Sequence, residues 1–486
     1  MHYFDALKNS KTEKKNDNMG NRKLFEMQKD MFGLYALAFL IMVIIAPFFD
    51  NQDQVNIYSG FISLTVNHNL YHSYFYSYPP LAEFLDWPFL SILSLFYPKA
   101  NWFVNLVSAK GVVEQMSFLT IIVFSPLFNL FYKLPMILAT LITSMFLYTT
   151  VLNLGFDYSK AKQITTLYLF NPFVIYEASI HSPIDCYVPL LILLFLYSLF
   201  KKKPFLSGLV SSLGALIIIF PLYFLILSIF YYLIPLTLKK ERRLKSIGKN
   251  TLLLVTGALI PIILTLPYLE NFLFLSKLLT THSSLLVNMS NINIWGVLNS
   301  SFGIFPIISN NITEVLSLAL RLVDLVIFSL IGAIMGLNVA RSRYGINSYY
   351  TINLSLFTLS MVMLFFTDTG ATPQAFIWFL VLLLLISINK KSVFIPYILV
   401  SIWGLLWEFL FLVIPFYYLL SFSTFLDPSL TNTLINLTLT YWDNTWGSSL
   451  HFFLWNFTSL FGGALLIFTT YLIIRKENLN QNRLIL

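Results

Sequence analysis

The sequence predicts an all-α, polytopic integral membrane protein with about 12–14 transmembrane helices, on three observations. Of its 486 residues 57% are hydrophobic and only 11% charged, against about 25% charged in soluble domains. Apolar runs of roughly 17 to 25 residues recur along the chain, each able to cross a hydrocarbon core about 30 Å thick. Lys and Arg collect in alternate connections between those runs, as the positive-inside rule requires.

In chain order, residues 1–30 form a polar, Lys-rich tail without the small-residue cleavage site of a signal peptide, so the first apolar run, near 32–49, is expected to stay as an uncleaved helix. It ends at Asp50 and opens a loop, 50–87, that carries two acids and many aromatics. Further crossings are expected near 81–98, 112–132, 134–154, 164–180, 186–200, 204–220, 221–238, 250–268, 315–338, 349–366, 375–388, 393–416 and 451–474. The basic stops between them are Lys201-Lys202-Lys203, "KKERRLKSIGK" from 239, Arg341 and Arg343, Lys390-Lys391, and a tail from Arg475 to 486. This topology places all but three of the 30 basic residues in the cytoplasm; the exceptions are Lys133, Lys277 and Arg321. The opposite face receives the 50–87 loop, a second loop over 269–314, the turn "TDTGATPQ" and the loop around "YWDNTWG". One multi-pass domain over 31–474 is therefore expected, with its working site on the non-cytoplasmic face of the cell membrane in a prokaryote or of the endoplasmic reticulum in a eukaryote.

Several chemistries are excluded. The net charge of +8 is scattered between apolar runs and forms no nucleic-acid stripe. A single cysteine, Cys186, allows no internal disulfide or thiolate cluster, and the six histidines show no HExxH spacing. There is no Walker A loop and no GxGxxG between a strand and a helix, so no nucleotide-bound donor is expected. An activated donor then has to come from the bilayer.

The acids of "FFDNQDQVNIYSG", Asp50 and Asp53, sit where the first membrane helix ends, and an ionisable group there is costly unless it faces water or a partner. The stretch that follows, "NLYHSYFYSYPPLAEFLDWP", sets Tyr71 eighteen and Tyr78 twenty-five residues beyond Asp53. In these segments the chain resembles the catalytic subunit of GPI mannosyltransferase I, within the glycosyltransferase C superfamily. That family opens its first lumenal loop with a DxD-type motif followed by a Tyr-x-Pro-Leu-like stretch, which matches Asp53 to the second acid and Asn51 to the first, with Asp50 out of register by one. "NPFVIYEASIHSPIDC" is similar to the family's Asn-Pro and Arg-Gly-x-x-Glu segment, with Asp185 on the acid and His181 in place of the arginine. "FLSGLVSSLGALIIIFPLYF" looks like its small-residue helix, with Ile218 where a lysine is usual. "FFTDTGATPQAFIWFLVLLLL" matches the segment in which a Gln opens an aromatic helix, placing Gln374 and Trp378, and "LLWEFLF" and "WGSSLHFFLWN" extend the likeness to the last helices.

The resemblance implies transfer of a hexose, with mannose first among the candidates, from a polyprenyl-phosphate donor to a lipid-linked or glycan acceptor, with inversion and with a small membrane subunit as a further partner. Chemically, a carboxylate must take the acceptor proton, which makes Asp53 the expected base. The departing phosphate needs cations, and Lys277, His282 and Arg321 are those available. Asp50 and Asp53 are also the candidates for a divalent cation, although two acids and an Asn are too few ligands to commit a site. Blander readings stand beside these. Arg321 and Asp324, three apart, can neutralise each other. Glu177 and His181 can be a local pair, and Lys277 an interfacial anchor. His68 and His72 can lie on a solvated face, and Tyr78 with its two prolines can simply set a turn. A transporter or flippase, or an inactive accessory subunit, are the competing functions.

Overall fold

The computed structural model describes residues 31–49, 53–68, 70, 79–96, 104–107, 121–124, 126–181, 183–218, 220–237, 243–268, 310–341, 346–367, 373–411, 433 and 449–475. Apart from one short ribbon these are helical. In order they are α1 (Met31–Phe48), α2 (Asp53–Asn67), α3 (Pro80–Phe96), strands β1 (Val104–Val107) and β2 (Ile121–Phe124), α4 (Pro126–Asn153), α5 (Tyr158–Leu169), α6 (Pro172–Tyr176), α7 (Val188–Phe200), α8 (Pro204–Ala215), α9 (Leu222–Thr237), α10 (Arg243–Thr265), α11 (Asn310–Arg341), α12 (Ile346–Thr367), α13 (Ile377–Ser387), α14 (Phe394–Phe411) and α15 (Ser449–Ile474). Six of them, α1, α4, α10, α11, α12 and α15, contain spans long and apolar enough to cross a membrane, and five apolar helices are shorter. This is a membrane-spanning helical protein.

Local sequence explains the breaks. Gly155, at φ 86°, ends α4 in a left-handed turn that side chains disfavour, and Asp157 caps α5 by accepting from the Lys160 backbone N–H at 2.7 Å. Pro172 and Pro204 each occupy a first helical turn, where a missing N–H costs nothing. Apolar on every side, α13 is buried along its whole length, as expected of a helix at the centre of a bundle. By contrast α1, α10, α11 and α15 expose Leu, Ile and Phe side chains outward, the distribution that lipid tails permit.

Two helix pairs pack backbone to backbone through glycine. A Cβ on Gly208 of α8 would run into the Leu254 carbonyl oxygen of α10, and one on Gly257 of α10 into the Phe205 carbonyl oxygen of α8. Gly332 of α11 meets the Leu227 carbonyl of α9 in the same way. Small residues at such crossings let dispersion contacts accumulate where lipid supplies no hydrophobic drive.

The expected crossings at 112–132 and 134–154 are corrected. Residues 121–124 pair antiparallel with 104–107, Val104 opposite Phe124, and one unbroken helix then runs from Pro126 to Asn153. The crossing expected at 81–98 forms a 17-residue helix, α3, which is not among the six long and apolar enough to cross a membrane. It packs against the bundle: the Leu81 N–H donates to the Leu216 carbonyl at 2.8 Å, and Asp86 meets Tyr187, which touches Met136 of α4.

Candidate functional site

The end of the bundle that holds Phe49 and Asp53 is fastened by α4. Lys133 is fully buried, and its Nζ donates to the Ala46 carbonyl at 3.2 Å and to the Phe49 carbonyl at 2.6 Å. These are the terminal carbonyls of α1, the negative end of its dipole, where an ammonium is most favourable. One turn earlier on α4, Asn129 Nδ2 donates to the Pro47 carbonyl at 3.3 Å while its Oδ1 accepts from Gln54 Nε2 at 3.0 Å. Gln54 too is fully buried. Residues 46–49 and residue 54 are thus held by two side chains of one helix, and the acid-bearing stretch 50–53 lies between the anchors. Asp53 is the first residue of α2, whose positive N-terminal end favours a carboxylate. Its side chain, and Asp50 entirely, lie outside the described residues. On the same helix Tyr58 packs edge-on against Phe128 of α4 at 5.7 Å, and burial pushes its hydroxyl above its ordinary pKa.

Next to this clamp, α3 turns two acids inward. Glu83 and Asp86 are fully buried. Asp86 Oδ1 accepts from the Tyr187 hydroxyl at 3.2 Å, whereas Asp86 Oδ2 and both Glu83 oxygens have no hydrogen-bond partner among the described residues. Burial, with Asp86 adding to it, pushes the Glu83 carboxyl well above its usual range; burial does the same to Asp86 against the opposing Tyr187 hydrogen bond. The Trp87 indole N–H donates to Thr65 Oγ1 at 3.2 Å and ties α3 to α2. Sequence reasoning passed over Glu83 and Asp86, reading their segment for its Tyr-Pro-Pro turn. The available signal was two acids three apart in an otherwise apolar helix.

A third element is the broken connection between α5 and α7. Asn171 caps α6 through the Phe173 N–H at 2.9 Å, and its Nδ2 donates to Tyr397 Oη and Ser401 Oγ of α14, both at 2.7 Å. A π-turn follows over Glu177–His181, a form of helix that recurs at functional sites. Within it His181 Nδ1 lies 3.0 Å from Glu177 Oε2, both side chains buried. After Pro183 a 3-10 turn over Ile184–Tyr187 presents Asp185, which accepts the Trp378 indole N–H at 2.7 Å. Phe220 and Phe365 lie against the Trp378 ring at 5.0 and 5.5 Å. Gln374 is half-buried in the 3-10 turn that enters α13.

The structure therefore brings Asp185 to Trp378 and His181 to Glu177, and sets Tyr187, two residues after Asp185, on Asp86. Arg321 stands apart, half-buried on α11. Among the described residues no ion pair joins it to Asp324, which is buried and accepts from Thr367 Oγ1 at 2.7 Å. Helix α2 ends at Asn67, and His68, at a left-handed φ of 52°, is exposed. Tyr71, His72, Tyr78, Lys277 and His282 lie outside the described residues. Among the described residues no three His, Cys, Asp or Glu side chains converge on a metal-sized site. Ile218, where the resemblance expects lysine, is buried in the core. No family model matches the chain, and no curated protein matches its sequence.

Proposed function

We propose that this protein is a membrane glycosyltransferase of the glycosyltransferase C type. It moves a hexose, mannose first among the candidates, from a polyprenyl-phosphate donor to a hydroxyl of a lipid-linked or glycan acceptor on the non-cytoplasmic face. Asp53 takes the acceptor proton, the acceptor oxygen attacks the anomeric carbon, and the bond to phosphate breaks with inversion and release of polyprenyl phosphate. Lys277, His282 and Arg321 are the cations offered to the leaving phosphate, with Gln374, Tyr78, His181 and Asp185 placed toward the substrates. Asp50 orients Asp53 or shares a divalent cation with it.

The observation that carries this reading is the clamp of Lys133 and Asn129 on both sides of residues 50–53. A carboxylate that must meet a lipid-borne headgroup has to be held in place at the end of the helices, and general-base catalysis tolerates little misplacement. Anchoring of an acidic stretch to a helix end by a buried ammonium supports that role better than it supports a solvated loop. Purified protein in liposomes, supplied with a polyprenyl-phosphate hexose and a lipid acceptor, forms a glycosylated lipid on this reading. Solute uptake with no glycosyl product would instead identify a transporter.

A further inference from the structure

The far end of the bundle holds a second feature, independent of the site just described. Helix α4 runs twenty residues from Lys133 to Asn153, a rise of about 30 Å, so its two ends lie about one hydrocarbon thickness apart. At the Asn153 end a groove opens between α4, α7, α12 and α13. Its floor is aliphatic, made by the buried side chains of Leu196, Leu354 and Leu385. Its rim is polar: Asn153, Lys201, Tyr350 and Asn389. The Tyr350 ring is set edge-on against Phe200 at 4.8 Å, and Asn389 is fixed by its bond to Thr351 Oγ1 at 2.6 Å.

The charge at this rim has one sign. Lys201 is exposed and no ion pair engages it among the described residues, and the Lys203 ammonium lies 5.5 Å from the ring of Tyr197, another residue of the groove. None of the residues lining the groove is acidic. Lysines at a helix end reach the headgroup layer while their stems stay on apolar surface. An aliphatic floor running up to amide, phenol and ammonium groups at the depth of the membrane interface matches a molecule that is itself apolar at one end and anionic at the other.

We infer that this groove is a binding site for an anionic glycerophospholipid, its phosphate against Lys201 and Asn389 and one acyl chain along Leu196, Leu354 and Leu385. Such a lipid would brace α7 against α12 and α13 from the end opposite the candidate active site. The inference does not depend on the glycosyltransferase reading.

The test uses full-length protein in nanodiscs of pure phosphatidylcholine or of phosphatidylcholine containing phosphatidylglycerol, with thermal unfolding and native mass spectrometry as readouts. Phosphatidylglycerol should raise the unfolding midpoint of the wild type by several degrees and leave a bound lipid after detergent transfer. Lys201→Glu should abolish both effects and Lys201→Arg should retain them. Leu354→Trp, which fills the floor, should prevent lipid retention. Inorganic phosphate added to phosphatidylcholine discs should do nothing. The inference is overturned if phosphatidylglycerol acts equally on wild type and Lys201→Glu, if it acts no more than phosphatidylcholine, or if inorganic phosphate reproduces its effect, which would mean a free-anion site.

Discussion

The Trp378 indole N–H donates to Asp185 across 193 residues of chain, at 2.7 Å between two buried side chains. It joins the helix opened by Gln374 to the turn that follows the Glu177–His181 pair, two segments whose likeness to one enzyme family was read separately. Asp185→Asn keeps an acceptor for the indole and should cost little stability. Asp185→Ala orphans a buried N–H and should cost about 1–3 kcal/mol, read as a lower unfolding midpoint. A loss of transfer in Asp185→Asn with the fold retained assigns the carboxylate to substrate handling; full activity leaves it a structural acceptor.

Removal of the Lys133 ammonium should free the segment it holds. Lys133→Met removes the donor from the Ala46 and Phe49 carbonyls, a loss of about 1.5–3 kcal/mol for a hydrogen bond to a charged group, concentrated at the junction of α1 and α2. Amide exchange should rise over α2 while α13 stays protected. Uniform deprotection would show that Lys133 supports the whole bundle instead.

The acids of α3 give the protein a pH dependence of definite sign. Glu83 and Asp86 have carboxyls raised in the folded state, so the native protein binds more protons than the unfolded chain between the ordinary carboxylate range and the raised values. Stability must therefore fall as pH rises through that window. Docking of α3 should be tighter at acidic than at neutral pH, with Trp87 fluorescence as the reporter. Glu83→Gln should flatten the profile; an unchanged slope in Glu83→Gln with Asp86→Asn would locate the titration elsewhere.

Glycine substitutions should split into two classes. Gly257→Ala places a methyl group on a backbone carbonyl that cannot yield, so α8 and α10 must separate, at a cost of several kcal/mol on the scale of about 1–3 for ordinary overpacking. At Gly248, nothing lies within 4 Å of the added carbon, and alanine should be neutral or gain up to about 1 kcal/mol in helix propensity. Unfolding midpoints of the two variants separate these outcomes.

The spanning helices were legible because a long apolar run needs no partner to declare itself, and α10 to α12 fall close to where the runs place them. Legibility failed where apolar length admits two uses. The 112–132 run looked like a crossing of its own, whereas part of it pairs as a strand with residues 104–107 and the rest opens the single helix α4. Lys133 looked like a topological exception because its acceptors are backbone carbonyls more than eighty residues earlier, invisible to any side-chain pattern. Glu83 and Asp86 were hidden by the turn that precedes them. The contact of Glu177 with His181, four apart, was one of the readings open in the sequence, because such spacing is local.

The role of Asp53 as base is decided by hexose transfer from a polyprenyl-phosphate donor by reconstituted wild type, Asp53→Asn and Asp50→Asn, with each variant's fold checked by its unfolding midpoint. The expected result is abolished transfer in a folded Asp53→Asn and retained, weakened transfer in Asp50→Asn. Full activity in Asp53→Asn would contradict the assignment of the base, and no transfer by the wild type would contradict the proposed reaction itself.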